Sequence, residues 1–307
     1  LGIDRSNGVV ARVSFLWRVS VVSFSVVFED NHLIVVDKPT GLATMGTAQD
    51  EPSLAREVQA YLKQKYSKPG NVYLGVVSRL DTVTSGLVVF ARTSKAASRL
   101  TVQFQERSVL KWYVAAVPTV PGKMATYQNS PPNSPWFDTR QVVWEDIIWK
   151  DEAAHRMRIR SRSSIDVGLE PRGGAGDRDE DGDAWGQSAK LAWRFLGRQA
   201  DLDLLLVRLT TGRKHQIRTQ FAARGVPILG DRKYGSLATF PAGIALHAWR
   251  LEFWHPITKN RLTFCRNVPR AWGELPAFTV EPDVPVDRAN LVTGAGKLLQ
   301  WLGESRP

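Results

Sequence analysis

Apolar positions recur along this chain with two periods, and the switches between them mark its elements. Residues 26–45, VVFEDNHLIVVDKPTGLATM, form two β-rich runs separated by Glu-Asp-Asn-His and closed by a turn from Lys38 to Gly41, which predicts a hairpin. In residues 52–66 Leu54, Val58 and Leu62 fall at helical spacing behind the start signals Pro52 and Ser53. The stretch SRLDTVTSGLVVFAR (78–92) sets Asp81 in a Thr/Ser-rich turn before an unbroken apolar run that reads as a buried strand. Residues 93–107 follow with a Thr/Ser cap and Ala96, Ala97, Leu100 and Phe104 on one face, and residues 109–117 read as a further strand. The loop carrying Asp81 therefore feeds a strand-helix-strand unit, which fixes a loop side chain better than a free loop does.

Later in the chain, residues 201–209 alternate as a strand, turn at Thr210 to Gly212, and pass into the helix-like HQIRTQFAAR, ended by Gly225. Residues 244–269 read as a hairpin whose turn is HPITKN. Residues 118–136 are Pro-rich, and 171–189, PRGGAGDRDEDGDAWGQSA, hold almost nothing apolar and read as a disordered insertion. Its acidic cluster lacks the terminal glutamate and flanking helices of a calcium loop, so a solvated loop is the better reading. Beyond Pro269 the chain reads as peripheral, with a short helix near 287–302.

Composition narrows the chemistry. The 307 residues can bury a substantial core, and 41 Lys and Arg against 30 Asp and Glu give a formal net charge of +11, which favours a polyanionic partner without proving one. One cysteine, Cys265, excludes an internal disulfide framework or a multi-cysteine zinc site, and the five histidines show no metal-ligand spacing, so metal-free chemistry is expected. No uncharged run of about 20 apolar residues marks a membrane span. The single cysteine suits a reducing compartment such as the cytoplasm; the Arg, Ser and Val content of residues 1–28 is also compatible with a transit peptide, which leaves an organelle open. The chain begins at Leu1 and is compatible with a fragment.

Six strings carry a resemblance. DKPTGL, SRLDTVTSGLVVFART, LKWYVA, LTTGRKHQIRTQF, GVPILGDRKYG and LHAWRLEFWHP, in this order and spacing, resemble the RluA-type pseudouridine synthases from about residue 26 to 270. The resemblance implies an α+β catalytic domain over 26–270, built on a bent, mixed, mainly antiparallel sheet with flanking helices. Residues 1–25 would then be an extension or the end of an upstream segment, and 271–307 a C-terminal extension. It also implies cofactor-free isomerisation of a uridine to pseudouridine in ribosomal or transfer RNA, and a monomer.

Site residues follow residue by residue. Asp81 matches the family's essential aspartate. The task requires a carboxylate that is ionised yet poorly solvated, either to attack the sugar or to remove its 2′ proton, and the sequence leaves both routes open. Burial alone would neutralise it; a neighbouring guanidinium offsets this, and the family supplies one from HQIR, here Arg218. Tyr113 matches the tyrosine that stacks on the uracil, and Arg79 the arginine that contacts RNA beside the extruded base. Leu246 fits the apolar residue under that base. Arg213, Lys214 and His215 stand where a turn enters a helix, which favours phosphate, and Lys38 is expected to add to the same positive cleft.

Each has a plainer reading: a turn aspartate, a core tyrosine, a core leucine, surface cations. The sequence also departs from the family, with Ser78 where histidine commonly precedes the RLD triplet and Lys214 where a small or hydroxyl residue is usual. Residues 1–25 are too short for the small RNA-binding domain of many bacterial members. Two other classes compete: an RNA-binding protein with a vestigial site, and a nucleoside hydrolase acting on small substrates.

Overall fold

All seven residues of strand β4 (Ser85–Ala91) are buried, as the apolar run LVVFA requires of a strand covered on both faces. The computed structural model describes residues 23–46, 51–120, 142–160, 186–199, 201–241, 243–269 and 272. Within them β4 lies between β2 (Leu33–Lys38) on one edge and, on the other, β3 (Gly75–Val76) and the first residues of β10 (Leu246–Trp254). The 11-stranded sheet runs β1 (Ser25–Glu29), β2, β4, β10, β5 (Leu110–Pro118), β9 (Leu202–Leu209), β8 (Gln187–Gln199), β6 (Val142–Asp151), β7 (Arg156–Arg160), with β11 (Arg261–Cys265) beside β10. Every described pairing is antiparallel except β4 with β10. The α+β sheet expected from the resemblance is therefore the one observed.

The β4–β10 junction is short, joining only Ser85 and Gly86 to His247 and Ala248. Gly86 makes it possible. Its φ is +115°, and a Cβ there would lie 2.4 Å from the Ala248 carbonyl oxygen. Ser85 Oγ and His247 Nδ1, 2.9 Å apart, and His247 Nε2 against the Arg266 carbonyl, also 2.9 Å, lock the buried contact. Past it the strands part, β4 continuing its edge with β3 and β10 with β11.

Helix α1 (Leu54–Lys65) buries Leu54, Val58 and Leu62, as their spacing predicts; each such side chain contributes about 1.5–3 kcal/mol. Helix α2 (Ser94–Gln105) is capped by Thr93, whose hydroxyl accepts the Ala96 N–H at 3.2 Å, and buries Ala96 and Leu100. The β1–β2 hairpin turns as expected, because Asp30 Oδ1 accepts the N–H groups of both His32 and Leu33. Helix α3 (Gln216–Ala223) packs on β6 and β7, with Phe221 edge-on to Trp144 at 4.7 Å.

Several boundaries shift. Residues 187–189, assigned to the insertion, open strand β8, and Ala189 is fully buried because it pairs with Asp146 of β6. Strands β6, β7 and most of β8 extend the sheet beyond the elements read from the sequence. Phe24 and Trp272, placed in the terminal extensions, are core residues, packed on Tyr61 and Phe240 respectively. The acidic cluster, most of the Pro-rich stretch and the helix expected near 287–302 lie outside the described residues.

Candidate active site

The loop between β3 and β4 is pinned on both sides of Asp81. Thr44 Oγ1 accepts the Leu80 N–H at 3.0 Å and donates to the Leu80 carbonyl at 2.8 Å. The Thr82 carbonyl accepts the Gly41 N–H at 2.8 Å and Lys38 Nζ at 3.2 Å. The Thr84 N–H closes a turn on the Asp81 carbonyl at 3.0 Å. With residues 80 and 82 tied, the intervening carboxylate has little freedom to swing.

Asp81 Oδ2 accepts Arg218 Nη1 at 2.9 Å, so the structure joins the two residues that the resemblance pairs, 137 positions apart. Arg218 is buried and held from behind by Asp231, whose Oδ2 and Oδ1 accept Nε at 2.7 Å and Nη2 at 3.0 Å. The Tyr234 ring lies under its guanidinium at 5.0 Å. Burial alone would lower the Arg218 pKa; the bonds and charges of Asp231 and Asp81 more than offset this and raise it.

Asp81 and Arg218 face a cleft of about 1200 Å³. Seven Lys or Arg side chains line it, from Arg79 and Arg107 to Lys214 and Lys233, against one carboxylate, Asp81. Low-dielectric walls concentrate such a field on an anionic ligand. Tyr113 and Lys111 alternate onto the same face of β5, and Lys111 pairs with Leu251 of β10 and Leu209 of β9, so the floor is a row of apolar groups with one cation. Burial, then the Arg107 charge, push the Lys111 ammonium down to about 8. Tyr113 stays a phenol, since burial and then the Asp81 charge raise its pKa, and among the described residues none hydrogen-bonds its hydroxyl.

Arg79 is exposed at the cleft and forms no ion pair with a described residue, and Lys214 is likewise exposed there. Three expected contacts fall differently. Lys38 is fully buried, its Nζ donating to the carbonyls of Pro39 at 2.8 Å, Leu42 at 2.7 Å and Thr82, so it braces the Asp81 loop and lends no surface to the cleft. Leu246 pairs with Ala115 in the core, away from the cleft lining, where Leu251 and Leu209 take the apolar places. His215 is half-buried and neutral: burial first, then the charges of Arg218, Lys233 and Lys214, bring it down to about 4 against the pull of Asp81. Neutral, it cannot bind phosphate by charge. Arg213 gives its N–H to Gln216 Oε1 at 3.0 Å and its Nε to the Ser188 carbonyl at 3.1 Å.

Sequence inspection assigns no role to Thr44, Asp231 or Tyr234. The last two stand in GVPILGDRKYG, so the string itself is their signal, but their pairing with α3 is visible only in the fold. Among the described residues no group of three His, Cys, Asp or Glu is arranged to hold a metal, and no helix is long and apolar enough to cross a membrane.

A family model described as RNA pseudouridylate synthase matches residues 32–223. The chain is 28% identical over 249 residues to the ribosomal large subunit pseudouridine synthase D of Nitrosomonas europaea, a match spanning 78% of this chain and 60% of that protein. It is 30% identical over 244 residues to the dual-specificity RNA pseudouridine synthase RluA of Haemophilus influenzae, covering 78% of this chain and 90% of that one. The solved structure of human RNA pseudouridylate synthase domain containing 4 superposes with a TM-score of 0.59 at 21% identity, covering 81% of this chain and 90% of its own, which shows a shared fold. With its ordered motifs, its split sheet and the carboxylate that Arg218 holds in a basic cleft, this chain belongs to the RluA-type family of RNA pseudouridine synthases.

Proposed function

We propose that this protein isomerises a specific uridine to pseudouridine in ribosomal or transfer RNA, without a cofactor, with Asp81 as the reacting carboxylate. The observation that carries this reading is the Asp81–Arg218 contact of 2.9 Å inside a cleft lined by seven cations and one acid. A pure RNA-binding groove has no use for a carboxylate facing the phosphates, because it repels them.

In this reading Lys214, Lys233 and Arg79 draw in the RNA backbone, and the target nucleotide leaves its stack at a cost of a few kcal/mol. Arg79 fills the vacated space. Tyr113 presents its ring to the uracil, with Leu251 and Leu209 beneath. Arg218 donates to Asp81 Oδ2, leaving Oδ1 for the sugar. Oδ1 either attacks the anomeric carbon as the C–N bond breaks or removes the 2′ proton as that bond breaks; in both cases the uracil turns, C5 bonds to the anomeric carbon as the ester is released or the 2′ proton returned, and C5 loses its hydrogen while N1 gains one.

Asp81→Asn tests it. Carbodiimide mapping of treated transcripts is expected to show no pseudouridine from the variant, while its RNA affinity stays within a few-fold of wild type. Undiminished product would remove Asp81 from the chemistry, and equal rescue of a deletion strain by both proteins would favour an RNA-binding role.

A further inference from the structure

The Tyr234 hydroxyl stands between a backbone donor and His215 Nδ1. The Met157 N–H of β7 donates to the Tyr234 hydroxyl oxygen at 3.1 Å, and His215 Nδ1 lies 2.8 Å from the same oxygen. A backbone N–H can only donate, so the hydroxyl oxygen accepts from Met157, and the acceptor within reach of the hydroxyl's own proton is Nδ1. In a neutral imidazole that accepts at Nδ1, the one ring hydrogen sits on Nε2. His215 suits the post conformationally: its φ of 54° is a left-handed value that His and Asn tolerate better than most residues.

That Nε2–H faces Asp81 Oδ1 at 3.8 Å, too far for a direct hydrogen bond. Asp81 Oδ2 is already taken by Arg218. An acceptor and a donor thus stand side by side in the cleft lining, spaced so that one oxygen can lie within about 3 Å of both. The oxygen must donate to the carboxylate and accept from the imidazole. A phosphate or carbonyl oxygen fails the first requirement, whereas a hydroxyl meets both. Uracil has no hydroxyl, and within a polynucleotide the 3′ and 5′ oxygens are esterified. Among the oxygens that the target nucleotide itself offers, the ribose 2′-OH remains.

We propose that Asp81 Oδ1 and His215 Nε2–H together form the receptor for the 2′-hydroxyl of the target uridine, so that His215 is a substrate-binding residue that discriminates RNA from DNA. This rests on the isomerase reading above. Tyr234 is its positioning residue, holding the imidazole in the tautomer that donates toward the cleft.

The test is a double-substitution cycle on an RNA stem-loop bearing the uridine that the wild-type enzyme modifies, made with either uridine or 2′-deoxyuridine at that position. Single-turnover kcat/KM is measured for wild type, His215→Asn and His215→Gln. Any intrinsic effect of the deoxy sugar on the chemistry is common to all three proteins and cancels. His215→Asn keeps an acceptor for Tyr234 but has no donor at the Nε2 position, and its penalty for losing the 2′-OH is expected to be roughly 5- to 10-fold smaller than that of wild type. His215→Gln restores an N–H at that position and is expected to recover most of the wild-type penalty. Equal penalties in wild type and His215→Asn, or a Gln variant that behaves like Asn, overturn the proposal while leaving the isomerase reading intact. Should His215→Asn fail to fold, Tyr234→Phe keeps the ring under Arg218 and removes the hydroxyl that meets His215 Nδ1 and the Met157 N–H. A penalty reduced at least threefold then supports the proposal, and an unchanged one overturns it. A wild-type protein that forms pseudouridine in no RNA sinks the isomerase reading, and this proposal with it.

Discussion

Asp231 aims Arg218. Its carboxylate takes Nε and Nη2 of the guanidinium at 2.7 and 3.0 Å, which leaves Nη1 to meet Asp81. Asp231 lies outside the cleft lining, so its influence on any reaction passes through the arginine.

Asp231→Asn is therefore expected to reduce kcat by tenfold or more while changing KM little, because RNA contacts are untouched and only the geometry behind Asp81 loosens. Breaking a buried pair costs about 3–5 kcal/mol, so the urea midpoint falls as well. Steady-state kinetics on a modified transcript decide the matter; a KM effect with unchanged kcat would mean that Asp231 does not act through Arg218.

The Lys38 ammonium carries a pH signature. Burial pushes it down to about 8 from its ordinary 10.5, against the pull of Asp81 and Asp37. Between those values the unfolded chain binds more protons than the folded one, so stability rises with pH across that window and is lost as pH falls through about 8. One lysine contributes up to about 1.4 kcal/mol per pH unit there. Urea unfolding at pH 7.5, 8.5 and 9.5 should show this slope in wild type and a smaller one in Lys38→Met. Identical slopes would show that Lys38 keeps its ordinary pKa.

At Gly86 a methyl group has nowhere to go. Gly86→Ala would combine a φ of +115° with a Cβ 2.4 Å from the Ala248 carbonyl oxygen, and strain plus overlap cost roughly 2–5 kcal/mol. Denaturation should show the loss, with pseudouridine formation falling in parallel, since the junction joins the two strands that bring Leu87 and Leu251 to the cleft. A variant as stable as wild type would contradict the close approach of β4 and β10.

Cleft cations are expected to act through phosphate. Lys214→Ala and Lys233→Ala should each weaken RNA binding and flatten the dependence of log K on log salt concentration by about 0.7–0.9, the release of one phosphate contact. Filter binding between 50 and 300 mM salt measures it. Weaker binding with an unchanged slope would assign these lysines a different contact.

Much of this was legible locally because burial is written at short range. LVVFA could only be a covered strand, the spacing of Leu54, Val58 and Leu62 could only cover one side of a helix, and Asp30 closes its own turn two and three residues on. Strand β6 escaped notice because its buried positions include Asp146, acceptable inside only because Gln220 donates to it at 2.7 Å and Arg224 approaches at 3.1 Å. The start of β8 was hidden by the polar run that precedes it.

Residue order alone carries an inventory: most of the elements, the acid on its turn, the cations, and the ordered motifs that mark the family. Only tertiary structure decided who meets whom and in what charge state. It seated Lys38 among three carbonyls, sent Leu246 into the core, and left His215 neutral between Tyr234 and Asp81. The reason is physical. Periodicity records whether a side chain is covered, but the partner that covers it, and the desolvation that sets its protonation, depend on strands brought together from distant parts of the chain.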